Sequence, residues 1–258
     1  MRIGIFQGRL TDSNKLQNFP INWRREFLIK NIFSLNHIEL FLETKKNNKN
    51  PFWSKTGQKQ LKNLLEEYSD KKIIICDNLI IKKKLFSKKT QNYLLDIIEK
   101  LKTFKKSKLI LPLNSEYFRD IRKLSNYFNN ILSFKSKNLT VSFEVDSDPE
   151  KVLNFINNLN HPNIGVTFDI GNVFLRNKDF LKYYIKLEKN INHVHLKDRN
   201  EKGENVRLGT GIIRIDIFLK FLNKIKFRND ITLETFRKNN SVLECYYNLK
   251  YLKKFLKK

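Results

Sequence analysis

Eight short β-rich runs, each followed by a segment of helical length and period, constrain this chain more than any other feature. The runs are RIGIF (2–6), HIELF (37–41), KIIIC (72–76), KLILP (108–112), LTVSFEV (139–145), IGVTFD (164–169), INHVHLK (191–197) and DITLET (230–235). Between and after them lie stretches such as WRREFLIKNIFSL, TQNYLLDIIEKLKTF and SVLECYYNLKYLKKFL, with apolar residues at helical spacing. Eight strand-then-helix units in 258 residues predict an α/β fold of the (β/α)₈ barrel type, since a doubly wound sheet usually needs fewer strands. No Gly/Pro-rich linker divides the chain, so one domain over residues 1–258 is the expectation. In DSDPEKVLNF, Asp148 is a candidate N-cap with Pro149 at the first helical position.

Successive side chains of a strand point to opposite faces, and in a barrel one face packs on helices while the other points inward. In 139–145 the apolar Val141, Phe143 and Val145 take the helix side, leaving Ser142, Glu144 and then Asp146 inward. The same alternation leaves Thr167 and Asp169 inward in the sixth run, His193, His195 and Lys197 in the seventh, and Thr232 and Glu234 in the eighth. Four consecutive strands thus each end on an inward ionisable group, at the C-terminal strand ends where barrels of this class carry their sites.

Such groups do not favour stability, because an unpaired buried carboxylate is costly and converging carboxylates repel. A divalent metal held by Glu144, Asp169, His195 and Glu234 meets both objections. A set of unrelated buried ion pairs with neighbouring lysines is the alternative. Three oxygen ligands and one imidazole suit Mn²⁺, Mg²⁺, Co²⁺ or Zn²⁺, and the carboxylate-rich set favours Mn²⁺ or Mg²⁺. His193, deeper in the same strand, reads as a hydrogen-bonding support rather than a ligand. His37, at a strand start, and His161, in a helix-to-strand turn, fall at the opposite end of the barrel and read as structural.

Further contacts are expected around this centre. Gln7 and Arg9 follow the first strand, and Arg9 suits bidentate binding of a phosphate or carboxylate, a surface salt bridge being the alternative. Lys197 is expected to touch substrate rather than pair with a ligand carboxylate. Gly209 and Gly211 in RLGTGI precede a helix where barrels commonly bind phosphate, a signal no stronger than that of an ordinary tight loop.

Net charge is +25, from 51 basic and 26 acidic residues, which raises nucleic acid, anionic membranes and anionic substrates as partners. The chain has no alanine and abundant Lys, Asn, Ile and Phe, a bias that reduces the weight of the charge. Its lysines (Lys45, Lys46, Lys82 to Lys84, Lys105, Lys106, Lys253, Lys254) fall on expected helices and loops and read as solvated faces. Cys76 and Cys245 give no disulfide framework, and no apolar run approaches the length of a membrane span. MRIGIFQGRL lacks the plan of a signal peptide. A soluble, cytoplasmic protein without a membrane partner is expected.

The motifs SFEVD, VTFDIGN, HVHLKD and ITLET, in this order, resemble the metal motifs of the xylose isomerase-like TIM-barrel superfamily, the sugar phosphate isomerases and epimerases. IGIFQGRLT, INWRREF and LGTGIIRID also resemble members of that group, so the likeness covers nearly the whole chain. It implies a metal on Glu144, Asp169, His195 and Glu234, with Glu144 and Glu234 as acid and base that move a proton beside a carbonyl through an enediolate. The implied partner is a small carbohydrate, phosphorylated or not; a homodimer is compatible with it. Two positions depart from the epimerase pattern: Asn172 stands where relatives often carry His, and Glu201 where they carry Arg. Arg199 or Arg207 then becomes a candidate for an anionic contact, and no particular substrate carries over. Rival readings are a polyol or keto-sugar dehydratase, a non-catalytic sugar-binding barrel, and an endonuclease IV-type DNA repair enzyme. The last needs a histidine-rich zinc cluster, for which four histidines are too few, and nucleic acid is disfavoured as a partner.

Overall fold

The computed structural model describes residues 1–12, 19–132, 137–237 and 239–256. Its central sheet is a closed barrel of parallel strands: β1 (Arg2–Phe6), β2 (Ile38–Leu42), β3 (Ile73–Asp77), β4 (Ser107–Pro112), β5 (Leu139–Glu144), β6 (Ile164–Asp169), β7 (Ile191–Leu196) and, last in the chain, β10 (Asp230–Leu233). β8 (Asp198–Arg199) and β9 (Asn205–Val206) form a separate antiparallel ribbon. The eight sequence runs match the barrel strands to within a residue or two at each end. Around the strands run α1 (Trp23–Ile32), α2 (Lys55–Glu67), α3 (Lys88–Lys102), α4 (Ile121–Leu132), α5 (Pro149–Leu159), α6 (Ile170–Arg176), α7 (Phe180–Leu187), α8 (Ile215–Lys224) and α9 (Ser241–Lys253).

The chain divides into two compact units. One comprises Leu40–Thr167 and Lys186–Asn192. Here Phe143 of β5 meets Phe128 of α4 at 4.7 Å and Phe155 of α5 at 5.0 Å between ring centroids, so the outward face expected of β5 packs on helices. Edge-on aromatic pairs of this kind add to the gain from area burial. On the inward face Ser142 Oγ lies 2.6 Å from Thr167 Oγ1 and donates to Asn192 Oδ1 at 2.7 Å, while Lys108 Nζ donates to the Asn192 carbonyl at 2.7 Å. Asp148 caps α5 by accepting from the Glu150 and Lys151 amides, with Pro149 opening the helix.

The other unit comprises Met1–Glu39, Phe168–Ile185 and His193–Lys258. Phe168 of β6 packs on Tyr184 of α7 and Phe218 of α8, with centroids 5.1 and 5.3 Å apart. β1 pairs with β10, and β10 with β7, so that Thr232 stands opposite His195. The lysines named from the sequence as solvated are exposed, except for half-buried Lys83. Among the described residues no helix is long and apolar enough to cross a membrane.

Two local features escape the periodicity. The β6 pattern continues through Ile170, yet the chain turns into α6 there, because Asp169 caps that helix by accepting from the Asn172 amide at 2.9 Å. The β8–β9 ribbon is too short to give an alternating pattern.

Candidate functional site

The site is built from the ends of β6, β7 and β10, the loop after β1, and one residue inside β2. On β7 the inward row is His193, His195 and Lys197, all buried. Asp169, at the end of β6, and Glu234, just past β10, are buried as well.

Glu39 of β2 was not singled out from the sequence, yet it organises the row. It is fully buried, and its two oxygens lie 2.8 Å from His195 Nε2 and 2.9 Å from His193 Nε2. Burial opposes the charged carboxylate, but the charge of His195 and the hydrogen bonds from His193 and His195 hold Glu39 well below the usual carboxylate range. The signal was present in HIELF: Ile38 and Leu40 share one face, and His37 and Glu39 the other. The hydrogen bonds continue inward. His193 Nε2 and His37 Nε2 each lie 2.9 Å from Thr232 Oγ1, and His193 Nδ1 is 3.9 Å from Asp230 Oδ2.

An ionised carboxylate only accepts, so the Nε2 proton of His195 points at Glu39. Nδ1 then faces Glu234 Oε2 at 3.6 Å and Asp169 Oδ2 at 3.8 Å, the side on which a cation would draw on the ring's lone pair. Lys197 Nζ bonds the same two oxygens, at 2.6 Å from Asp169 and 2.9 Å from Glu234. The lysine thus pairs with two expected ligand carboxylates, whereas the sequence favoured a substrate contact. Burial raises the Asp169 pKa, but Lys197 and His195 outweigh it, and the carboxyl stays ionised through the physiological range. Arg9 approaches Glu234 from the other side, at 4.0 Å, with its guanidinium over the Phe6 ring. Burial lowers Arg9 to about 10, with Glu234 opposing the shift.

The loop carrying Gln7 and Arg9 is clamped. Glu26 of α1 accepts from the Gly8 and Leu10 amides and from Thr11 Oγ1, and Arg237 donates to the Gly8 and Thr11 carbonyls. Gln7 is buried, and its amide donates to the Glu39 carbonyl at 2.9 Å. Asn172 is tied through its Oδ1 to Arg199, which also donates to the Gly203 carbonyl. Arg207 turns to α9, where Glu244 accepts from it twice, at 2.8 and 2.9 Å. Gly209 and Gly211 direct their amides at the Asp198 carboxylate, at 2.9 and 3.0 Å, so that loop is folded around its own anion. Glu144 ends β5, half-buried, opposite Thr167 in the β5–β6 register and two positions short of Asp169 along β6.

The donor set suits a divalent cation. Two buried carboxylates and the Nδ1 edge of an imidazole face one another, the imidazole is held by an outer carboxylate, and the oxygens already carry a cationic partner in Lys197. Glu39, His193 and His195 also bring possible ligand atoms within 4.8 Å of one another, but those atoms are joined by hydrogen bonds among themselves.

A family model described as xylose isomerase-like TIM barrel matches residues 34–255. The chain belongs to that family. Among solved structures it is similar to a D-allulose 3-epimerase from Methylomonas sp., with a TM-score of 0.72 and 16% identity, covering 99% of this chain and 98% of that one. It is also similar to the probable 3-DHS dehydratase AsbF of Bacillus anthracis (TM-score 0.69, 15% identity, 98% and 99% covered). A third is the IolI protein with a bound zinc atom (TM-score 0.70, 15% identity, all of both chains covered). At these identities the likeness speaks to the fold. No curated protein sequence matches this chain.

Proposed function

We propose that this chain is a metal-dependent sugar or sugar-phosphate isomerase or epimerase that moves a proton at the carbon beside a carbonyl. The observation that carries the reading is the convergence of Asp169, Glu234 and the Nδ1 face of His195, with the ring held by Glu39. Asp169, His195, Glu234 and Glu144 are the proposed ligands, with Mn²⁺ or Mg²⁺ preferred over Co²⁺ or Zn²⁺ by the oxygen-rich set. The bound ion would supply Lewis-acid polarisation of the carbonyl.

The protein's own groups do the rest. Glu234 and Glu144 act as base and acid, one removing the proton and the other returning it, through an enediolate. Arg9, 4.0 Å from Glu234, helps to fix the position of that carboxylate. In this reading Gln7 and Arg9, and Lys197 once it leaves the carboxylates, meet the hydroxyls or an anionic group of the substrate. Asn172 and Arg199 act there as a hydrogen-bonded pair, and Arg207 contributes by fixing its loop to α9. Cys76 and Cys245 are buried and form no disulfide, which supports a reducing, cytoplasmic setting.

Dehydration of a polyol or keto-sugar is the second reading, because it shares the first proton removal. It is favoured by Asn172, whose side chain is held by Arg199 at the position where the epimerase pattern has histidine. Incubating the metal-loaded protein with a panel of ketoses and sugar phosphates in D₂O tests both readings. Deuterium beside the carbonyl, lost in Glu144→Gln and Glu234→Gln, supports proton transfer, and loss of water from the product assigns dehydration. Sugar binding without exchange or dehydration contradicts both.

A further inference from the structure

Lys197 has a second property beyond its place in the row. Its ammonium bonds Asp169 Oδ2 at 2.6 Å and Glu234 Oε2 at 2.9 Å, and these are the same two oxygens that lie nearest His195 Nδ1. Its stem has a prepared path. A Cβ on Gly171, in the first turn of α6, would stand 2.6 Å from Lys197 Cγ and 3.1 Å from Cδ and Cε, so glycine there leaves room for the lysine to reach the carboxylates. Lys197, Asp169 and Glu234 are all buried, so water contributes little screening.

A divalent ion binds carboxylate oxygen at about 2.0–2.2 Å. An ion on both oxygens would therefore lie beside the ammonium, with like charges adjacent and little water to screen them. We propose that Lys197 is an internal competitor for the metal: its ammonium and the ion exclude each other from Asp169 and Glu234, and metal binding drives the lysine off the carboxylates. The inference rests on the metal-site reading above. It has two consequences. The lysine lowers the affinity of the site, which keeps the metal exchangeable. It also holds the two carboxylates in place when no metal is bound, offsetting the repulsion they would otherwise suffer.

The test uses Mn²⁺ alone and two independent readouts. Titration of the full chain with Mn²⁺ gives the dissociation constant of the wild type and of Lys197→Met, which keeps the length of the stem without the charge. Lys197→Met is expected to bind at least about 10-fold tighter, since a buried like charge has been removed from beside the ion. In the wild type, a lysine-acylating reagent followed by peptide mass spectrometry should modify Lys197 faster with saturating Mn²⁺ than without it. This second readout does not depend on how the variant folds. Equal or weaker binding by Lys197→Met, or modification of Lys197 that is unchanged or slower with Mn²⁺, overturns the inference while leaving the metal site standing. Failure of both proteins to bind Mn²⁺ is a different result, which contradicts the metal-site reading and this inference with it.

Discussion

His195 Nε2 lies 2.8 Å from Glu39 Oε1, and both groups are fully buried. One carboxylate thereby fixes the ring that faces Asp169 and Glu234, and its other oxygen fixes His193. Glu39→Ala leaves two buried imidazoles without their acceptor. It should cost about 2–4 kcal/mol in chemical denaturation and weaken divalent-metal binding about 10–100-fold. Glu39→Gln, which keeps one acceptor oxygen, should lose less of both. Equal stability of wild type and Glu39→Ala would show that the pair does not hold the site together.

Asp198 is the anchor of the long connection between β7 and α8. Its carboxylate accepts from the amides of Arg199, Gly209, Gly211 and Ile213, and Gly209 takes a φ of +81° in the turn that presents its amide. Asp198→Asn turns an amide donor toward these donors, so about 1–3 kcal/mol of local stability should be lost. Hydrogen exchange at residues 199–213 should then quicken while exchange in β4 and β5 stays slow. Uniformly unchanged protection would remove Asp198 from this role.

Stability should fall as pH rises from about 5 to about 8. Burial raises Asp77 to about 7, against the bond from Tyr93 and the Leu79 amide, and raises Glu26 to about 7, against the Gly8 and Leu10 amides. A carboxyl whose folded pKa is raised contributes stability that is fully present below its unfolded pKa and is lost as pH climbs through the folded value. Each group is expected to cost of order 3 kcal/mol across that window. Urea denaturation at both pH values measures the fall, and Asp77→Asn should make it smaller. A flat profile would contradict the raised pKa of both groups in the folded state.

The barrel was legible because its strands follow period two and its helices follow their own period over long stretches. Phe143 and Phe168 took the helix side as their alternation required. The inward row of β7 was legible for the same reason. Glu39 carried the identical signal, but nothing local says that it reaches across to His193 and His195. The pairing of Lys197, the engagement of Arg207 by Glu244 and the loop wrapped on Asp198 are all contacts between residues distant in sequence. Side-chain type and spacing do not encode such partners, so alternation gave the direction of each residue without its neighbour.

In the proposed site Asp169, His195 and Glu234, with Glu144, hold one divalent ion. Equilibrium dialysis of the purified protein against Mn²⁺, with metal counted per chain, tests it most directly. The wild type should bind one ion per chain, and Asp169→Asn and Glu234→Gln should each lose most of that binding while remaining folded. Binding that both substitutions leave unchanged, or no binding by the folded wild type, would contradict the account.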